Sequence, residues 1–418
     1  MNMLSIVSFS LSKGGAGIAA KKFKSLLVDY KSDFKVNTIT QDNAGFYQFF
    51  KRLVSYVLNK FQFDGNTTKH SLNLFSFSPV LKTFTESKDN LFHIHWINND
   101  TLSIFDFHKI PSGTIVTLHD EWLYCGCEHY YKVLDQTNDF ILGYPYLKKN
   151  VLGIHWNSLI WKVKYKKLSH RRDLIFTVPS SWMLERARSS AILKESDIRL
   201  LPNPIDSDRF TPLAEDVINS FRNELNIDND CFVFVYGAIS GKKNKLKGMN
   251  LLNMAIKLLK SKNLSIPISK IVLIDFGGLI GDSELYGFRN ISLGHINDVV
   301  YLAKIFSSAD CVVVPSMVES FGQIAAEALS CSTPVVSFDT SGLRDIVLDD
   351  NTGLLAKPFC VDSLCLKLMK MIEYPKETRT LMGQNGRKHI IENFSYSNIS
   401  KKYFSILEDA ARLKKIAN

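Results

Sequence analysis

The chain has 418 residues, of which 45% are hydrophobic, and a formal net charge of +10. This length exceeds what a single core usually fills, so it predicts two domains. The ordinary apolar fraction excludes an intrinsically disordered chain. No apolar run approaches the roughly 18 residues needed to span a bilayer. The start MNMLSIVSFSLSKGG is typical of a first strand rather than of a signal peptide.

The positive charge is concentrated in the first half. Residues 1–200 contain 26 Lys and Arg against 17 Asp and Glu, a net charge of +9, whereas residues 201–418 contain 25 against 24, a net charge of +1. A basic half indicates an anionic partner such as a nucleic acid, a phosphorylated ligand or a membrane surface. A basic solvated surface without any partner explains the charge equally well.

Seven cysteines are scattered along the chain, and only Cys125 and Cys127 lie close together. Their spacing completes no zinc-binding pattern. The simplest interpretation is a reducing compartment, so we expect a cytoplasmic protein.

Buried strands alternate with helices along both halves of the chain. The first half predicts strands at Met3–Phe9, Leu91–Trp96, Thr114–Leu118, Leu174–Val178 and Ile198–Leu201, and helices at Ile18–Tyr30 and Ser181–Leu193. The second half predicts strands at Cys231–Tyr236, Ile271–Phe276, Cys311–Val314 and Pro334–Phe338, and helices at Met249–Lys260, Val299–Phe306, Phe321–Leu329 and Ser397–Lys415. Residues 40–90 and 124–150 match no pattern.

The proline-rich stretch LPNPIDSDRFTP, residues 201–212, separates the two series and predicts an interdomain linker. Alternating strands and helices predict an α/β fold with parallel sheets. We therefore expect two Rossmann-like domains that face each other across a cleft, at residues 1–203 and 204–395. A C-terminal helix, residues 396–418, is expected to pack back on the first domain.

Two glutamates, Glu319 and Glu327, flank the predicted start of a helix after a buried strand. A helix start presents free N–H groups and favours an anion. Two carboxylates at this spacing can accept hydrogen bonds from hydroxyl groups on different parts of one ligand. On spacing alone, a solvated pair is the more common explanation, but Glu327 lies in an Ala-rich helix, where an unpaired buried carboxylate is costly.

The run PSMVESFGQIAAEALSCSTPVVSFDTSGLRDIV resembles the E-x7-E signature of the family-4 retaining glycosyltransferases, which have the GT-B architecture. The segments GHINDVVYLAKIFSSADCVVVPS, NTGLLAKP and LPNPIDSDRF also resemble that family, although Pro204 stands where the family usually has Gly. The resemblance covers about residues 200–390 well. The first half resembles the family more loosely, through SKGGAG, HIHW and TLHDEW.

The resemblance implies a nucleotide-sugar donor in the second domain and an acceptor in the first. Glu319 is implied as a catalytic residue, and Glu327, Lys247 and the helix start at Phe321 and Gly322 as donor-binding residues. The family usually pairs the lysine with an arginine nearer the strand. Ala238 follows Gly237 here, so Lys242, Lys243 or Lys245 is expected to replace that arginine.

In the first domain, the resemblance implies His119 as a catalytic residue, with Asp120 orienting its ring. Gly14 and Gly15 let the backbone approach a diphosphate closely and are implied in donor binding. Without the resemblance, a structural histidine and a ligand-free tight turn explain these residues. His93 and His95 are expected to be structural, because no third metal ligand accompanies them.

The segment WNSLIWKVKYKKLSHRR, residues 156–172, mixes aromatic and basic residues. Such a helix suits an anionic membrane surface or a nucleic acid, but a core helix with a basic outer face is the simplest interpretation. Because many relatives extend lipid-diphosphate-linked glycans, peripheral contact with the inner membrane surface is the favoured of the two partner hypotheses.

The resemblance implies a retaining hexosyltransferase that moves a sugar from a nucleotide-sugar to a glycan or lipid-linked saccharide in surface polysaccharide biosynthesis. We expect no metal, no other cofactor and no nucleic-acid partner. Three alternatives remain. A sugar-nucleotide epimerase would share the fold. A nicotinamide oxidoreductase would need a last glycine that SKGGAGIAA lacks. A basic membrane or nucleic-acid binder would not depend on the glutamates.

Overall fold

The computed structural model describes residues 2–30, 34–61, 66, 68–131, 138–145, 155–237 and 244–417. The chain forms two compact units: the N-terminal unit, Met1–Pro204 with Ile399–Asn418, and the C-terminal unit, Ile205–Asn398. Among the described residues, no helix has both the length and the apolar character to cross a membrane. The seven cysteines are free thiols, and six of them are buried.

The first part of the chain alternates strands and helices. Its elements are β1 (Asn2–Val7), α1 (Gly14–Asp29), β2 (Phe34–Ile39), α2 (Phe46–Asn59), α3 (Ser78–Glu86), β3 (Leu91–Ile94), β4 (Ile115–Thr117), α4 (Asp139–Leu142), α5 (Trp156–Leu168), β5 (Ile175–Val178), α6 (Ser181–Ser189) and β6 (Asp197–Leu200). A 3₁₀ turn covers Ile104–Lys109.

The second part repeats the alternation. Its elements are α7 (Glu215–Glu224), β7 (Phe232–Gly237), α8 (Met249–Leu259), β8 (Ile271–Phe276), β9 (Ile280–Leu285), β10 (Phe288–Leu293), α9 (Val299–Ser308), β11 (Cys311–Val314), α10 (Gln323–Ser330), β12 (Val335–Phe338), α11 (Leu343–Ile346), β13 (Gly353–Ala356), α12 (Val361–Glu373), α13 (Lys376–Phe394) and α14 (Tyr396–Ala417). Two 3₁₀ turns cover Lys245–Lys247 and Ile268–Lys270.

The sheet of the N-terminal unit has six parallel strands in the order β2-β1-β3-β4-β5-β6. Strands β3, β4 and β5 are buried along their whole length. Continuous burial is typical of a parallel sheet that helices cover on both faces. The strand order reverses between β1 and β3, and open α/β sheets bind ligands at the carboxyl ends of the strands at such a switch point.

In the described part of the C-terminal unit, the sheet has seven strands in the order β13-β12-β11-β7-β8-β10-β9, and only β9 is antiparallel to its neighbour. Alternate residues of β7 enter two separate cores, because successive strand residues point to opposite faces. Phe234 and Tyr236 pack on one face, and Val233 and Val235 on the other. The order reverses between β7 and β11, which places the switch point of this unit at their carboxyl ends.

The predicted α/β fold with two Rossmann-like domains is confirmed, and each predicted strand corresponds to a strand of one of the sheets. The helix predicted at Ile18–Tyr30 begins four residues earlier, at Gly14. The pattern missed β2, whose burial is incomplete, β9, which is exposed along most of its length, and the strands β10 and β13. It also missed several helices, among them α2 and α3 in residues 40–90 and the longer α12 and α13.

The predicted linker, residues 201–212, is well packed from Ile205 onward. Ile205 and Phe210 are buried in the core of the C-terminal unit. The amide of Ile205 donates a hydrogen bond to the carbonyl of Phe394 at 2.8 Å. The proline-rich stretch therefore marks the division between the units, but most of it belongs to the second one.

The C-terminal helix α14 packs on the N-terminal unit through its buried residues. Tyr403 is fully buried, its hydroxyl lies 2.7 Å from His93 Nδ1, and its ring meets that of Phe23 at a centroid distance of 5.1 Å. Near the end of the helix, Lys414 donates to the carbonyl of Asn90. Helix α14 thereby contributes buried side chains to the core of the N-terminal unit.

We expect Tyr403→Ala to lower the free energy of unfolding of the N-terminal unit by about 3–5 kcal/mol, the usual cost of removing a large buried aromatic side chain. Urea unfolding monitored by circular dichroism measures the change. Ile416→Ala is the matched control on the same helix, because Ile416 is 82% exposed. It should change stability by less than about 0.5 kcal/mol. Equal effects of the two substitutions would contradict the packing role of Tyr403.

Candidate functional site

Lys247 and Glu319 lie at the switch point of the C-terminal sheet, Lys247 in the 3₁₀ turn after β7 and Glu319 in the loop after β11. Gly248 follows the lysine with φ +66°, and a Cβ there would lie 1.8 Å from the Pro315 carbonyl oxygen. The amide of Met317 donates to the carbonyl of Leu246 at 2.8 Å. Only glycine allows this close approach, which presses the two loops together.

The two side chains form an ion pair. Lys247 Nζ lies 2.6 Å from Glu319 Oε1, and Ser316 Oγ donates to the same oxygen at 2.8 Å. No residue that the structure describes donates a hydrogen bond to Glu319 Oε2. The glutamate is therefore held on one side and keeps an acceptor oxygen for a ligand hydroxyl.

The loop after β12 fixes the backbone of Glu319. The Glu319 amide donates to Ser341 Oγ at 2.8 Å, and the Gly342 amide donates to the Glu319 carbonyl at 2.9 Å. A Cβ on Gly342 would lie 2.6 Å from the Ser320 carbonyl oxygen. Ser316, Ser341 and Gly342 all lie within the run that resembles the glycosyltransferase signature, but only the structure shows that they position Glu319.

Glu327 lies in α10, which begins at Gln323 after Gly322 in the left-handed region, with φ +104° and no side-chain cap. The uncapped helix start leaves backbone N–H groups available to an anion. Glu327 is only 8% exposed and accepts a hydrogen bond from Gln323 Nε2 at 2.5 Å. The Phe321 side chain packs in the core, so this residue has only its backbone to offer a ligand.

A cavity of about 450 Å³ adjoins α8 and the carboxyl ends of β7 and β8. Its wall includes a polar chain in which Tyr236 donates to Asn290 Oδ1, and Asn290 Nδ2 donates to Asp275 Oδ2, both at 2.8 Å. The volume is within the range of small-molecule sites. Lys245 is exposed in the same turn as Lys247, whereas Ala238, Lys242 and Lys243 lie outside the described residues.

His119 lies after β4 in the N-terminal unit, and its partner is a histidine. His119 Nε2 is 2.9 Å from His95 Nδ1. The expectation that Asp120 orients this ring is wrong. Asp120 instead accepts from Trp96 Nε1 at 2.8 Å, and it lies 2.6 Å from Nδ1 of His129. His119 and Asp120 lie in a bend after β4, and their side chains reach different partners.

The contact between His95 and His119 constrains their tautomers. His95 is buried, and its Nε2 has no partner among the described residues. A proton on that nitrogen would be a buried unpaired donor, so the proton is better placed on Nδ1, where it is donated to His119 Nε2. His119 then keeps its own proton on Nδ1, which makes that nitrogen a hydrogen-bond donor.

Burial keeps these histidines neutral. Desolvation lowers the pKa of His119 to about 4, and it lowers the pKa of His93 to about 3, with a further contribution from the charge that His119 would acquire. The pKa of His95 is also well below its ordinary value, mainly because of burial. A small cavity of about 20 Å³ lies beside His95 and His119, enough for one water molecule.

Gly14 and Gly15 form the first residues of α1, at the switch point of the N-terminal sheet. A Cβ added to either residue would meet no atom within 4 Å, so this helix start borders open space. Ser10 Oγ accepts from the amides of Ser12 and Lys13, each at 3.1 Å, and shapes the preceding turn. The glycines are placed where a backbone contact to an anion is accessible.

Helix α5 is a core helix rather than an aromatic surface helix. Trp156 and Trp161 are buried. Lys164, one of the basic residues of the segment 156–172, is fully buried and donates to the carbonyls of Trp122 and Gly126. Burial lowers the pKa of Lys164 to about 8.

Among the described residues, one group has the composition of a metal site: Asp228, Asp230 and Cys231. It precedes β7 and therefore lies at the amino edge of the sheet, away from Lys247 and Glu319. Lys270 Nζ lies 3.1 Å from Asp228 Oδ2 and 2.8 Å from Asp230 Oδ1, and burial raises the pKa of Cys231. A cation would have to displace the lysine and deprotonate the thiol.

Comparison with known proteins shows which family part of this chain resembles. Residues 217–389 match the family model of glycosyl transferases group 1. The match includes Lys247, Glu319 and Glu327 and covers less than half of the chain.

Curated relatives support the same relationship over part of their length. A D-inositol 3-phosphate glycosyltransferase from Corynebacterium jeikeium is 30% identical over 224 residues, which are 51% of this chain and 52% of that protein. An uncharacterized glycosyltransferase from Methanocaldococcus jannaschii is 28% identical over 206 residues, 48% of this chain and 50% of that protein. The chain thus spans about half the length of these relatives.

Solved structures share the fold over nearly the whole chain. Sucrose-phosphate synthase from Thermosynechococcus elongatus aligns with a TM-score of 0.64 at 18% identity, covering 98% of this chain and 99% of that one. Anabaena HepE in complex with UDP and glucose aligns with a TM-score of 0.61 at 15% identity, covering 98% and 100%. At these identities, the likeness establishes the fold.

We expect the N-terminal unit to lose stability as the pH falls from 6.5 to 5. Folded pKa values of about 4 for His119 and about 3 for His93, below the ordinary 6.5, mean that the unfolded chain binds more protons in this window. Each histidine contributes a slope of up to about 1.4 kcal/mol per pH unit. Urea unfolding at several pH values measures the slope.

The variant His93→Gln removes one of these titrating groups and should reduce the slope, whereas His108→Gln, which replaces an exposed histidine, should not. Stability that stays constant or rises between pH 6.5 and 5 would show that the buried histidines are not held neutral.

Proposed function

We propose that this protein is a retaining glycosyltransferase that moves a hexose from a nucleotide-sugar donor to a saccharide acceptor, without a metal ion or other cofactor. The observation that supports this proposal most is the pair of Lys247 and Glu319 at the switch point of the C-terminal sheet, 2.6 Å apart. One cation and one carboxylate side by side suit a ligand in which a diphosphate adjoins a sugar. The match of residues 217–389 to glycosyl transferases group 1 supports the same reading.

The residues of the C-terminal unit have separate roles in this proposal. Lys247 stabilises the leaving diphosphate together with the backbone N–H groups at the start of α10, at Gly322 and Phe321. Glu319 accepts hydrogen bonds from the transferred sugar through Oε2. Glu327, one helical turn beyond Gln323, accepts a hydrogen bond from the ribose. Because Glu319 compensates the charge of Lys247, a second cation is needed for the diphosphate, and exposed Lys245 is the nearest one in sequence.

The N-terminal unit supplies the acceptor side. His119, with its proton on Nδ1, donates a hydrogen bond to the sugar and stabilises charge that develops during transfer. Gly14 and Gly15 give the donor a backbone contact at the start of α1. We propose that Glu319 and His119 act in catalysis and that the leaving phosphate accepts the acceptor proton, as the resemblance to family-4 retaining enzymes implies.

We propose that the acceptor is a glycan or a lipid-diphosphate-linked saccharide in surface polysaccharide biosynthesis. Such an acceptor is available at the inner face of a membrane, so the protein would work in the cytoplasm with peripheral membrane contact. The net charge of +9 in residues 1–200 favours both an anionic diphosphate carrier and an anionic membrane.

A thermal-shift screen of UDP-, GDP- and CDP-sugars tests the proposal, followed by mass spectrometry of products formed on candidate acceptors. One nucleotide-sugar should raise the melting temperature as its concentration exceeds its Kd. No shift with any nucleotide-sugar, together with no transfer, would contradict the proposed function.

For the donor found in this way, Glu327→Ala should raise the Kd by about 10–100-fold, because a hydrogen bond to a charged group contributes about 1.5–3 kcal/mol. Isothermal titration calorimetry measures the affinity. Glu377→Ala removes an exposed glutamate of the same unit and is the matched control, with an unchanged Kd. An unaltered Kd for Glu327→Ala would exclude the proposed contact.

We expect His119→Ala to lower kcat by about 100-fold or more while it changes the donor Kd much less, since the proposed contact strengthens as charge develops in the transition state. Steady-state kinetics and calorimetry on the same preparation separate the two effects. His108→Ala, at an exposed histidine, is the control. Parallel losses in kcat and in affinity would indicate that His119 is structural.

A further inference from the structure

Helix α2 turns its apolar face toward solvent. Six large side chains are spaced at i, i+3, i+4, i+7, i+10 and i+11, which places them on one face of the helix. Their exposed fractions are between 43% and 81%, and they are Phe46, Phe49, Phe50, Leu53, Tyr56 and Val57. We call them the α2 aromatic face. This spacing usually marks the side of a helix that enters a core, and a contiguous exposed patch of this kind marks an interaction site.

Buried polar contacts hold α2 in this orientation. On the inner side, Gln48 Nε2 donates to the Asp100 carbonyl at 2.7 Å, and Ser55 Oγ donates to Asp100 Oδ1 at 2.9 Å. Lys51 Nζ donates to the Ser76 carbonyl at 3.1 Å. Rotation of the helix to bury its aromatic residues would break these hydrogen bonds and leave buried groups unpaired, which is costly.

Two cations flank the α2 aromatic face. Lys60 Nζ lies 4.9 Å from the ring centroid of Tyr56. The guanidinium carbon of Arg52 lies 6.0 Å from the ring centroid of Phe49. Residues 43–61 contain Lys51, Arg52 and Lys60 and no Asp or Glu.

We propose that the α2 aromatic face lies in the interface of an anionic lipid bilayer, with Arg52 and Lys60 on the lipid headgroups. Aromatic and aliphatic side chains with flanking cations are the composition of interfacial helices, which bury their apolar face about 5–10 Å into the headgroup boundary. The inference deepens the proposed function and rests on it for the membrane as the place where the acceptor is found.

The charge distribution favours a bilayer over a second copy of the chain. A symmetric self-contact brings the same patch of two copies together. Each patch would then place two cations opposite two cations without a single carboxylate from residues 43–61 to compensate them. An anionic surface complements the charge and accommodates the apolar side chains at the same time.

The structure also distinguishes α2 from α5, the helix that the sequence indicated for membrane contact. Trp156, Trp161 and Lys164 of α5 are buried, so this helix offers exposed cations but no aromatic face of comparable extent. Membrane binding is therefore expected to depend on α2 far more than on α5.

Co-sedimentation of the full chain with vesicles of phosphatidylcholine and phosphatidylglycerol in a ratio of roughly 2:1 tests the inference. The wild type should bind these vesicles more tightly than pure phosphatidylcholine vesicles. The triple variant Phe46→Ser/Phe49→Ser/Phe50→Ser should lose more than about tenfold in partition coefficient, because the inserted apolar surface is removed. Salt should weaken the remaining binding of the variant more than that of the wild type.

Two matched variants control for exposed apolar surface and for charge. Leu279→Ser/Ile280→Ser removes two side chains of the C-terminal unit that are 90% and 85% exposed. Lys162→Glu/Lys166→Glu reverses two exposed cations of α5. Each should change the partition coefficient much less than the triple variant. Unchanged thermal unfolding of all variants shows that the fold is retained, as expected for exposed positions.

Wild-type binding that is absent, or that survives in the triple serine variant, would overturn the inference. It would also be overturned by a dimer in sedimentation velocity without lipid that dissociates in the triple variant, since the face would then be a self-contact. The donor-induced thermal shift of the triple variant separates this inference from the proposed function. A retained shift with lost vesicle binding supports both proposals. Wild-type vesicle binding without any donor-induced shift or sugar transfer contradicts the proposed function alone.

Discussion

The ion pair between Lys247 and Glu319 is the contact on which the interpretation of the C-terminal unit depends. The two residues are 72 positions apart in sequence, yet their side chains meet at 2.6 Å because β7 and β11 are neighbours at the point where the strand order reverses. Crossover connections leave this point in opposite directions and open a crevice at the carboxyl ends of the strands. Gly248 and Gly342 permit the close packing of the loops that carry the pair.

The N-terminal unit uses the same topology with a different chemistry. Its switch point has glycines at the start of α1 and a neutral chain of histidines, His119, His95 and His93, in place of an ion pair. The chain of rings ends on Tyr403 of α14, the last helix of the sequence. Helix α14 thus packs against the histidine chain through Tyr403, whereas desolvation lowers the pKa of His119 against the opposing charge of Asp120.

The sequence predicted the fold class well because buried parallel strands such as β7 and β11 are continuous apolar runs, which are visible without any tertiary information. It placed Lys247, Glu319 and Glu327 in one domain but could not show that Lys247 and Glu319 form a pair, because only the strand order brings them together. It assigned Asp120 to His119 by adjacency, whereas the bend after β4 places Asp120 beside Trp96 and His129. Helix α2 was missed although its apolar residues have helical spacing. The sequence could not show that these residues face solvent, because the contacts of Gln48 and Ser55 with Asp100 fix the orientation of the helix.

A crystal structure of the protein with its nucleotide-sugar donor would show directly whether Lys247, Glu319 and Glu327 bind that donor. We expect the diphosphate to lie within about 3.2 Å of Lys247 Nζ or of the amides at the start of α10, with a sugar hydroxyl donating to Glu319 and a ribose hydroxyl donating to Glu327. A donor bound elsewhere on the protein, with the contacts of Lys247 and Glu319 unchanged and neither glutamate touching it, would exclude these roles.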